Sequence, residues 1–343
     1  MDLQLTWFVL LAVLVTGYVV LDGFDLGVGI LYPFLPRGDE ERTALRHSIG
    51  PFWDGNEVWL LTAAGALFAA FPPVYATVFS GFYLPLIAAV LGLIFRAVSI
   101  EYRSRDPKWG RMWDLAFFGG SLVPPVVFGV AAGNLVRGLP LDATGDSTAS
   151  LGFLFNPFAL LVGGLTVSLF VTHGASWLVL RTQGTLRERA RRTASAAHWV
   201  TAAAIVAATA GAAIAAPEHV GHVLAHWPGW VAVGGVIAGL VAARVGMHRG
   251  RAGWSFAGSA VTLASLVAVW AAGSFPVMVP GWAGSPSLSA RDSSSSHLAL
   301  SAMLVIAAIG VPVVLAYTAL IYRTFTRSRV GGDGADGTED SAY

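Results

Sequence analysis

The sequence predicts an all-α integral membrane protein with nine transmembrane helices. Of its 343 residues, 55% are hydrophobic and only 12% are charged. Apolar stretches long enough to cross a bilayer recur along the whole chain, and basic residues are concentrated in alternate connections between them. Together these observations exclude a water-soluble globular domain.

Hydropathy and helix length divide the chain into nine spans. The spans run over residues 6–35, 49–71, 78–100, 114–136, 153–180, 198–215, 229–246, 253–273 and 298–322. We expect the first span to be retained as a helix, because no basic residue precedes it and it lacks a small-residue cleavage motif. Residues 1–329 are predicted to form one polytopic membrane domain. Residues 330–343, rich in Gly and Asp, are predicted to be a disordered cytoplasmic tail.

Charge asymmetry gives the chain an orientation. Of the 21 Lys and Arg residues, 18 fall in alternate connections and the C-terminal tail, whereas the opposite connections hold only Arg137 and Arg291. The positive-inside rule therefore places the N-terminus outside and the C-terminus in the cytoplasm. An odd number of spans agrees with termini on opposite sides.

Asp54 and Glu57 stand at the start of the second span and are the first candidates for function. Three residues apart, they share one face of a helix. Ionisable groups inside a membrane are costly and rarely occur there without a partner or a task. Gly55 and Asn56 lie between them near the cytoplasmic side, where water can enter. We therefore predict that this pair accepts and passes on protons.

Asp22 and Asp25 form a second pair of acids, on the first span, and Arg96 lies within the third span. Helix rise places these groups at overlapping depths near the cytoplasmic half of the membrane. We expect Arg96 to neutralise at least one of Asp25, Asp54 and Glu57, because an unpaired arginine there is costly. For Asp22 and Asp25 two roles stay open, one in function and one in holding helices together.

Cysteine and histidine usage limits the redox chemistry of this chain. The absence of cysteine excludes disulfides, thiolate-held clusters and covalent haem attachment through thiols. His173 in the fifth span suits a haem ligand, a quinone hydrogen bond or a packed polar residue, and we favour the last. His219, His222 and His226 have a metal-capable spacing, but a solvated loop is the favoured interpretation. We predict no haem ligand, metal site or catalytic residue here.

Glycine spacing predicts where helices approach closely. Three pairs lie four residues apart, namely Gly23 and Gly27, Gly129 and Gly133, and Gly235 and Gly239. Such pairs are typical of tight helix contacts in membranes. Pro124-Pro125 falls inside the fourth span and is expected to kink or locally open that helix.

Several longer motifs occur in order along the first part of the chain. They are Leu21-Asp-Gly-Phe-Asp-Leu-Gly-Val-Gly29, Gly50-Pro-Phe-Trp-Asp-Gly-Asn-Glu-Val-Trp-Leu60, Ala66-Leu-Phe-Ala-Ala-Phe-Pro72, Phe79-Ser-Gly-Phe-Tyr83, Phe95-Arg96, Glu101-Tyr-Arg-Ser104, Gly120-Ser-Leu-Val-Pro-Pro125 and Gly129-Val-Ala-Ala-Gly-Asn134. Together they resemble subunit II of the cytochrome bd quinol oxidase family. The resemblance is dense to about Leu135 and rests on span order beyond it.

The resemblance implies two four-helix bundles plus one further helix, beside a subunit I that carries two haem b groups, haem d and the quinol-oxidising loop. It implies a bacterial cell-membrane complex that oxidises quinol and reduces dioxygen to water, building protonmotive force without pumping. This chain would bind no haem, although a structural quinone can occupy it. Lipid and small accessory membrane subunits are further expected partners, and nucleic acid is not.

The resemblance also gives individual residues a role. Asp54 matches an acid implicated in the proton route. Arg96 matches the arginine that closes the family's third-helix motif, and Asp25 matches the second acid of its Asp-Gly-Phe-Asp motif. Trp59 matches the region where dioxygen is thought to reach the complex from the lipid. Some members have Gln where this chain has Glu57, which makes Asp54 the preferred proton carrier and Glu57 a modifier of its surroundings.

Two other classes of function remain as alternatives. A secondary transporter or ion channel can use intramembrane acids for coupling, although the two halves of the chain show no matched pair of broken helices. A scaffold that only stabilises a haem-bearing subunit is the third interpretation. The sequence leaves open whether ubiquinol or menaquinol is the donor.

Overall fold

The computed structural model describes residues 2–325, which are predominantly α-helical. The helices are Leu3–Leu31 (α1), Asp39–Ile49 (α2), Trp53–Ala70 (α3), Pro72–Gly81 (α4), Tyr83–Tyr102 (α5), Gly110–Arg137 (α6), Leu151–Leu154 (α7), Pro157–Arg181 (α8), Gly184–Ala215 (α9), Pro217–Ala225 (α10), Trp227–His248 (α11), Ala252–Ser274 (α12) and His297–Phe325 (α13). A two-stranded antiparallel sheet pairs Val277–Val279 (β1) with Leu288–Ser289 (β2). The tail predicted at 330–343 lies outside the described residues.

Local sequence explains where the long helices begin. The side chain of Asp2 accepts a hydrogen bond from the backbone N–H of Leu5 at 3.0 Å and caps α1. The Asn156 side chain caps α8 in the same way, and Pro157 occupies the first helical position, where its missing N–H costs no hydrogen bond. Both caps fix helix starts close to the predicted span starts.

Within residues 2–325, eight helices are long and apolar enough to cross a membrane, namely α1, α5, α6, α8, α9, α11, α12 and α13. They coincide with eight of the nine predicted spans. The remaining span corresponds to α3, an 18-residue helix that is not among the eight. Its first turns carry Asp54, Asn56 and Glu57, and these polar side chains reduce its hydropathy.

The start of α9 differs most from prediction. The span was expected to begin at residue 198, whereas the helix begins at Gly184. The additional residues include four arginines and one glutamate, all of which are good helix formers. Basic residues predicted to form a loop therefore extend the helix beyond the apolar segment.

The glycine pairs lie at close helix contacts, as predicted. A Cβ atom built on Gly27 of α1 would lie 1.9 Å from the carbonyl oxygen of Phe170 on α8. One built on Gly129 of α6 would lie 2.7 Å from the Cα of Gly163 on α8. Gly239 of α11 meets the backbone of α12 in the same manner. No side chain fits at these three positions, so the glycines determine how closely the helices pack.

The proline pair does not interrupt α6. The helix runs from Gly110 to Arg137 without ending at the prolines, although proline has no N–H and so leaves the carbonyls of Gly120 and Ser121 without their usual intrahelical donors. The α5 backbone packs directly against this region, since a Cβ on Gly92 would lie 3.2 Å from the ring of Pro124. A neighbouring helix that fits around the proline ring allows the helix to continue.

Helix contacts form two groups. One contains α1, α3, α5 and α6, and the other contains α8, α9, α11 and α12. α8 joins the groups through α1 and α6, and α13 lies against α1 and α3. The side chains at α1, α8 and α13 therefore meet in the interior.

Arginine-rich connections gather at one end of the bundle, which we call the basic end. Arg103, after α5, donates from Nε to Oδ1 of Asp114 at 2.7 Å and also pairs with Asp39 of α2 at 3.2 Å. Arg189 of α9 donates to the carboxylate of Glu41 on α2. α2 therefore links the connections that follow α5 and α8. The structure confirms that these basic connections share one end.

The opposite end is held by backbone hydrogen bonds between connections. The N–H of Ser295 donates to the carbonyl of Ala70 at the end of α3, at 2.9 Å. The N–H of Leu139, after α6, donates to the carbonyl of Pro280 at 2.9 Å. The connection between α12 and α13 is thereby tied to both α3 and α6.

Candidate functional site

The interior of the first helix group contains a fully buried ion pair. Arg96 of α5 donates from Nη1 to Oδ2 of Asp22 at 2.9 Å and from Nη2 to Oδ1 at 2.5 Å. Both side chains are 0% exposed. A two-point arginine–carboxylate pair is among the strongest polar contacts a protein makes, and breaking it would leave a buried charge uncompensated.

This pair corrects the expected partner of Arg96. We expected Asp25, Asp54 or Glu57, and the bonded carboxylate is that of Asp22. Helix rise gives the depth of a side chain but not the direction in which the helix turns it.

A second set of contacts joins Asp25 to Asn56 and Tyr322, neither of which was predicted to bind the buried acids. Asn56 of α3 donates from Nδ2 to Oδ2 of Asp25 at 2.7 Å and to the carbonyl of Leu21 at 3.0 Å. The hydroxyl of Tyr322 on α13 donates to Oδ1 of Asn56 at 3.0 Å. Asn56 therefore connects the first, third and last long helices around a buried acid.

Three polar atoms in this interior have no hydrogen-bond partner within residues 2–325. They are Oδ1 of Asp25, Nε of Arg96 and the hydroxyl of Tyr18. Buried polar atoms without partners are rare and are commonly satisfied by internal water. Together with the ion pair they form a polar interior in an otherwise apolar bundle.

Asp54 and Glu57 lie on α3 beside this interior. Asp54 is exposed and Glu57 is half-buried, and neither makes a hydrogen bond or ion pair with any residue that the structure describes. Phe52, the residue just before α3, has the guanidinium of Arg181 over its ring. This contact places the start of α3 at the basic end. Asp54 thus lies at the outside of the bundle, whereas Glu57 is partly covered by its neighbours.

Trp59 is buried between α1 and α3. A Cβ on Gly17 would lie 2.1 Å from the indole, so the ring occupies the space left by this glycine. It belongs to a cluster of buried, mostly apolar side chains that includes Leu14, Ala63 and Leu93. The surroundings of Trp59 are mostly apolar, unlike those of Asp54 and Glu57, which lie five and two residues earlier in α3.

His173 does not fit a haem ligand. Its Nδ1 lies 2.7 Å from Oγ of Ser259 and its Nε2 lies 3.0 Å from the carbonyl of Val20. The ring also stacks on Phe256 with a centroid distance of 4.5 Å. Both nitrogens are engaged, in agreement with a packed polar residue. Across residues 2–325, no cluster of three His, Cys, Asp or Glu side chains suits a metal ion.

Fold and interior together define a multi-pass integral membrane protein with an ionisable cluster among its helices. The chain belongs to the cytochrome bd terminal oxidase subunit II family, whose sequence profile matches residues 3–325. This membership favours the oxidase over the transporter alternative, and the family implies haems in the complex.

Individual relatives cover nearly the whole chain. Cytochrome bd-I ubiquinol oxidase subunit 2 of Escherichia coli (strain K12) is 38% identical over 357 residues, with 93% of each chain covered. Cytochrome bd ubiquinol oxidase subunit 2 of Bacillus subtilis (strain 168) is 39% identical over 328 residues, covering 94% of this chain and 96% of the relative. The chain is a multi-pass protein of the bacterial cell membrane.

A solved structure shares the fold. The bd oxidase from Geobacillus thermodenitrificans contains a chain that superposes with a TM-score of 0.80, at 18% identity, covering 95% of this chain and 99% of that chain. The helix arrangement is therefore that of a bd oxidase chain.

Proposed function

We propose that this chain is the haem-free subunit of a quinol:dioxygen oxidoreductase. Its partner in this proposal is subunit I, which carries two haem b groups and haem d and performs the redox chemistry. The present chain supplies a contact surface and access for protons and dioxygen. Protons for water formation come from the cytoplasm, so the complex builds protonmotive force without pumping. Family membership and the names of the relatives support this assignment.

The outer face of α3 supports a protein partner at this position. Asp54, Val58, Leu61, Gly65 and Phe68 follow one another at helical spacing, and all are exposed. We call this surface the Asp54 face. A carboxylate on a helix that otherwise presents apolar side chains is costly against lipid, and a neighbouring subunit can cover and hydrate it. We infer that the Asp54 face lies against subunit I.

The proton route we propose begins at Asp54. The single observation that carries it is that Asp54 and Glu57 have no bonded partner among the described residues, while Asn56 between them reaches the buried Asp25 at 2.7 Å. A carboxylate engaged in a strong ion pair is not available to exchange protons, whereas these two are. Asp22, Asp25 and Arg96 instead maintain the polar interior next to the route.

We propose dioxygen access near Trp59. Dioxygen is apolar and dissolves in lipid, so a path for it requires apolar walls rather than acids. Leu14, Ala63 and Leu93, which share one buried cluster with Trp59, are apolar as such a path requires. In this proposal α3 provides both paths. Protons enter at Asp54 near the start of the helix, and dioxygen enters near Trp59 further along it.

We also propose nine crossings, in two four-helix bundles plus one further helix, with the N-terminus outside. The 18 residues of α3 span about 27 Å at about 1.5 Å per residue, close to the thickness of a bilayer core. The basic end then faces the cytoplasm. Lipid, a structural quinone and small accessory membrane subunits complete the set of partners we propose.

Replacing Asp54 by Asn in the assembled complex tests the proton route. We expect slower quinol-driven oxygen consumption with unchanged haem absorbance, because the amide keeps the shape of the side chain and cannot carry a proton. Glu101→Gln is the matched control, since Glu101 is an exposed acid at the basic end, away from α3. Unchanged oxygen consumption in Asp54→Asn would remove this residue from the route. Loss of the haems would point to a structural role.

A further inference from the structure

A half-open groove of about 410 Å³ lies at the basic end, away from α3 and the buried acids. It is formed where the start of α9 meets the connection between α11 and α12. Its polar lining includes Arg187, Glu188 and Arg191 of α9, and its floor includes Gly184, Gly246 and Gly250. Gly184 and Gly250 are exposed, whereas Gly246 is buried against the α12 backbone beside Ser255.

The arginines of this groove are arranged for an anion. Nε of Arg187 donates to the carbonyl of Val179 at 3.0 Å, which fixes the guanidinium in place. Its two η nitrogens make no hydrogen bond with any residue in the range 2–325. Arg191 lies one turn further along α9, and a single molecule in the groove can reach both side chains.

Glu188 is the one carboxylate that lines the groove, and two arginines neutralise it. Arg191 donates from Nε and Nη2 to the two carboxylate oxygens at 2.8 and 2.9 Å. Arg192 donates from Nε to Oε1 at 3.0 Å. Since one acid is shared between two cations, the net charge around the groove stays positive.

Further positive charge surrounds the groove. Arg249 and Arg251 flank the lining residue Gly250, and both are exposed. The 32-residue helix α9 begins at Gly184, and Gln183 provides no side-chain cap for its first turn. Free backbone N–H groups at a helix start favour negative charge, which adds to the effect of the arginines.

The groove also adjoins surface typical of a lipid interface. Trp199 of α9 and Trp254 of α12 are 59% and 58% exposed, on the same helices that form the groove. Arg244 of α11 lies over the Trp199 ring at 5.2 Å. Exposed tryptophans next to arginines are typical of the level of lipid headgroups. Apolar groove residues such as Met247 can meet the glycerol part of a lipid.

We propose that this groove binds the phosphate group of an anionic phospholipid from the cytoplasmic leaflet. Arginine suits phosphate because its planar guanidinium donates two parallel hydrogen bonds. Basic pockets between membrane helices on the cytoplasmic side are known to suit such headgroups. A groove of about 410 Å³ accommodates a phosphoglycerol headgroup. The lipid bridges α9 and the α11–α12 connection.

Lipid retention by the purified, assembled complex tests this proposal. The complex is equilibrated with detergent micelles containing phosphatidylglycerol or phosphatidylcholine, and bound lipid per complex is measured after washing. The double variant Arg187→Gln and Arg191→Gln is compared with Arg105→Gln, which removes an exposed arginine of the basic end that neither lines the groove nor contacts Glu188. We expect wild type and Arg105→Gln to prefer phosphatidylglycerol, and the double variant to bind it about tenfold more weakly.

Equal retention of phosphatidylglycerol by all three proteins would overturn the proposal. A competition arm with millimolar inorganic phosphate distinguishes a lipid from a free anion, because a lipid site should keep its phosphatidylglycerol. Displacement by inorganic phosphate would overturn the lipid assignment. If the double variant does not assemble, Arg191→Gln replaces it, and weaker retention of phosphatidylglycerol is again the expected result. Arg191 is exposed and bonds only to Glu188 among the described residues, so this variant should still assemble. Binding is read without turnover, so failure of the proposed oxidase function would not change its outcome.

Discussion

The hydroxyl of Tyr322 donates to Oδ1 of Asn56, and Nδ2 of the same amide donates to Asp25. One asparagine thus ties the last long helix to the first through the third. We expect Tyr322→Phe to leave the Asn56 oxygen without this donor and to lower the stability of the assembled complex by about 1 kcal/mol. Thermal unfolding of the complex measures the effect.

Tyr317→Phe is the control for this substitution. Tyr317 lies on the same helix and is exposed, so loss of its hydroxyl should not change the unfolding temperature. Equal behaviour of the two variants would show that the Tyr322–Asn56 bond contributes nothing to stability.

The buried ion pair predicts that two single substitutions are worse than both together. Arg96→Leu leaves Asp22 as a buried charge, and Asp22→Leu does the same to Arg96, each costing about 3–5 kcal/mol. Replacing both with apolar residues removes both charges and should recover assembly. The yield of intact complex after purification measures this coupling. A double variant no better than the singles would contradict it.

Close backbone contact predicts different outcomes for two glycines on α8. A Cβ on Gly174 would lie 2.6 Å from the carbonyl carbon of Gly27, so Gly174→Ala must push α1 and α8 apart. A Cβ on Gly164 meets nothing within 4 Å. We expect Gly174→Ala to reduce the stability of the complex by about 1–3 kcal/mol and Gly164→Ala to preserve it. Detergent and heat resistance of the two complexes provide the comparison.

Contacts at the basic end predict an acid-sensitive attachment of α2. Burial by itself raises the pKa of Glu41, but hydrogen bonds from the Arg189 side chain and the Arg37 backbone outweigh it, so the pKa is lowered. A lowered pKa in the folded state contributes stability above the ordinary pKa of about 4.5, and this contribution is lost as pH falls through the folded-state value. Glu41→Gln should therefore flatten the loss of stability below about pH 4.5.

Glu40→Gln is the matched control for Glu41. Glu40 is the preceding residue, is exposed and makes no hydrogen bond or ion pair within residues 2–325. Its substitution should leave the acid sensitivity unchanged. Unfolding curves recorded between about pH 3 and pH 6, around the ordinary carboxyl pKa, measure both variants. The assignment fails if Glu41→Gln remains as acid-sensitive as wild type.

The helices were predictable because membrane spans have a strong local signal. A run of apolar residues must form a helix in a bilayer, whatever it packs against. The start of α9 was not predictable in this way, since the change from basic to apolar residues near position 198 marks the membrane surface and not the end of a helix. The arginines before it are good helix formers and continue the helix from Gly184.

The site was predictable in depth but not in pairing. Asp22, Asp25 and Arg96 were expected at one level, and they meet there, because helix rise is fixed. The bonded partner of Arg96 depends on how α1 and α5 are rotated about their own axes. Their sequences alone do not predict this rotation. Asn56 sits between the two acids of α3, so its position was a usable signal. No comparable signal pointed to Tyr322, because its hydrogen bond to Asn56 joins residues 266 positions apart.

The buried ion pair also has a consequence for how the protein is made. Asp22 leaves the ribosome 74 residues ahead of Arg96. At about 5–20 residues per second, translation needs about 4–15 s to supply the matching cation. The first helix therefore enters the membrane with its acids uncompensated and completes its partnership only when α5 has been synthesised. The stretch from α1 to α5 is therefore the shortest N-terminal segment that contains both members of the Arg96–Asp22 pair.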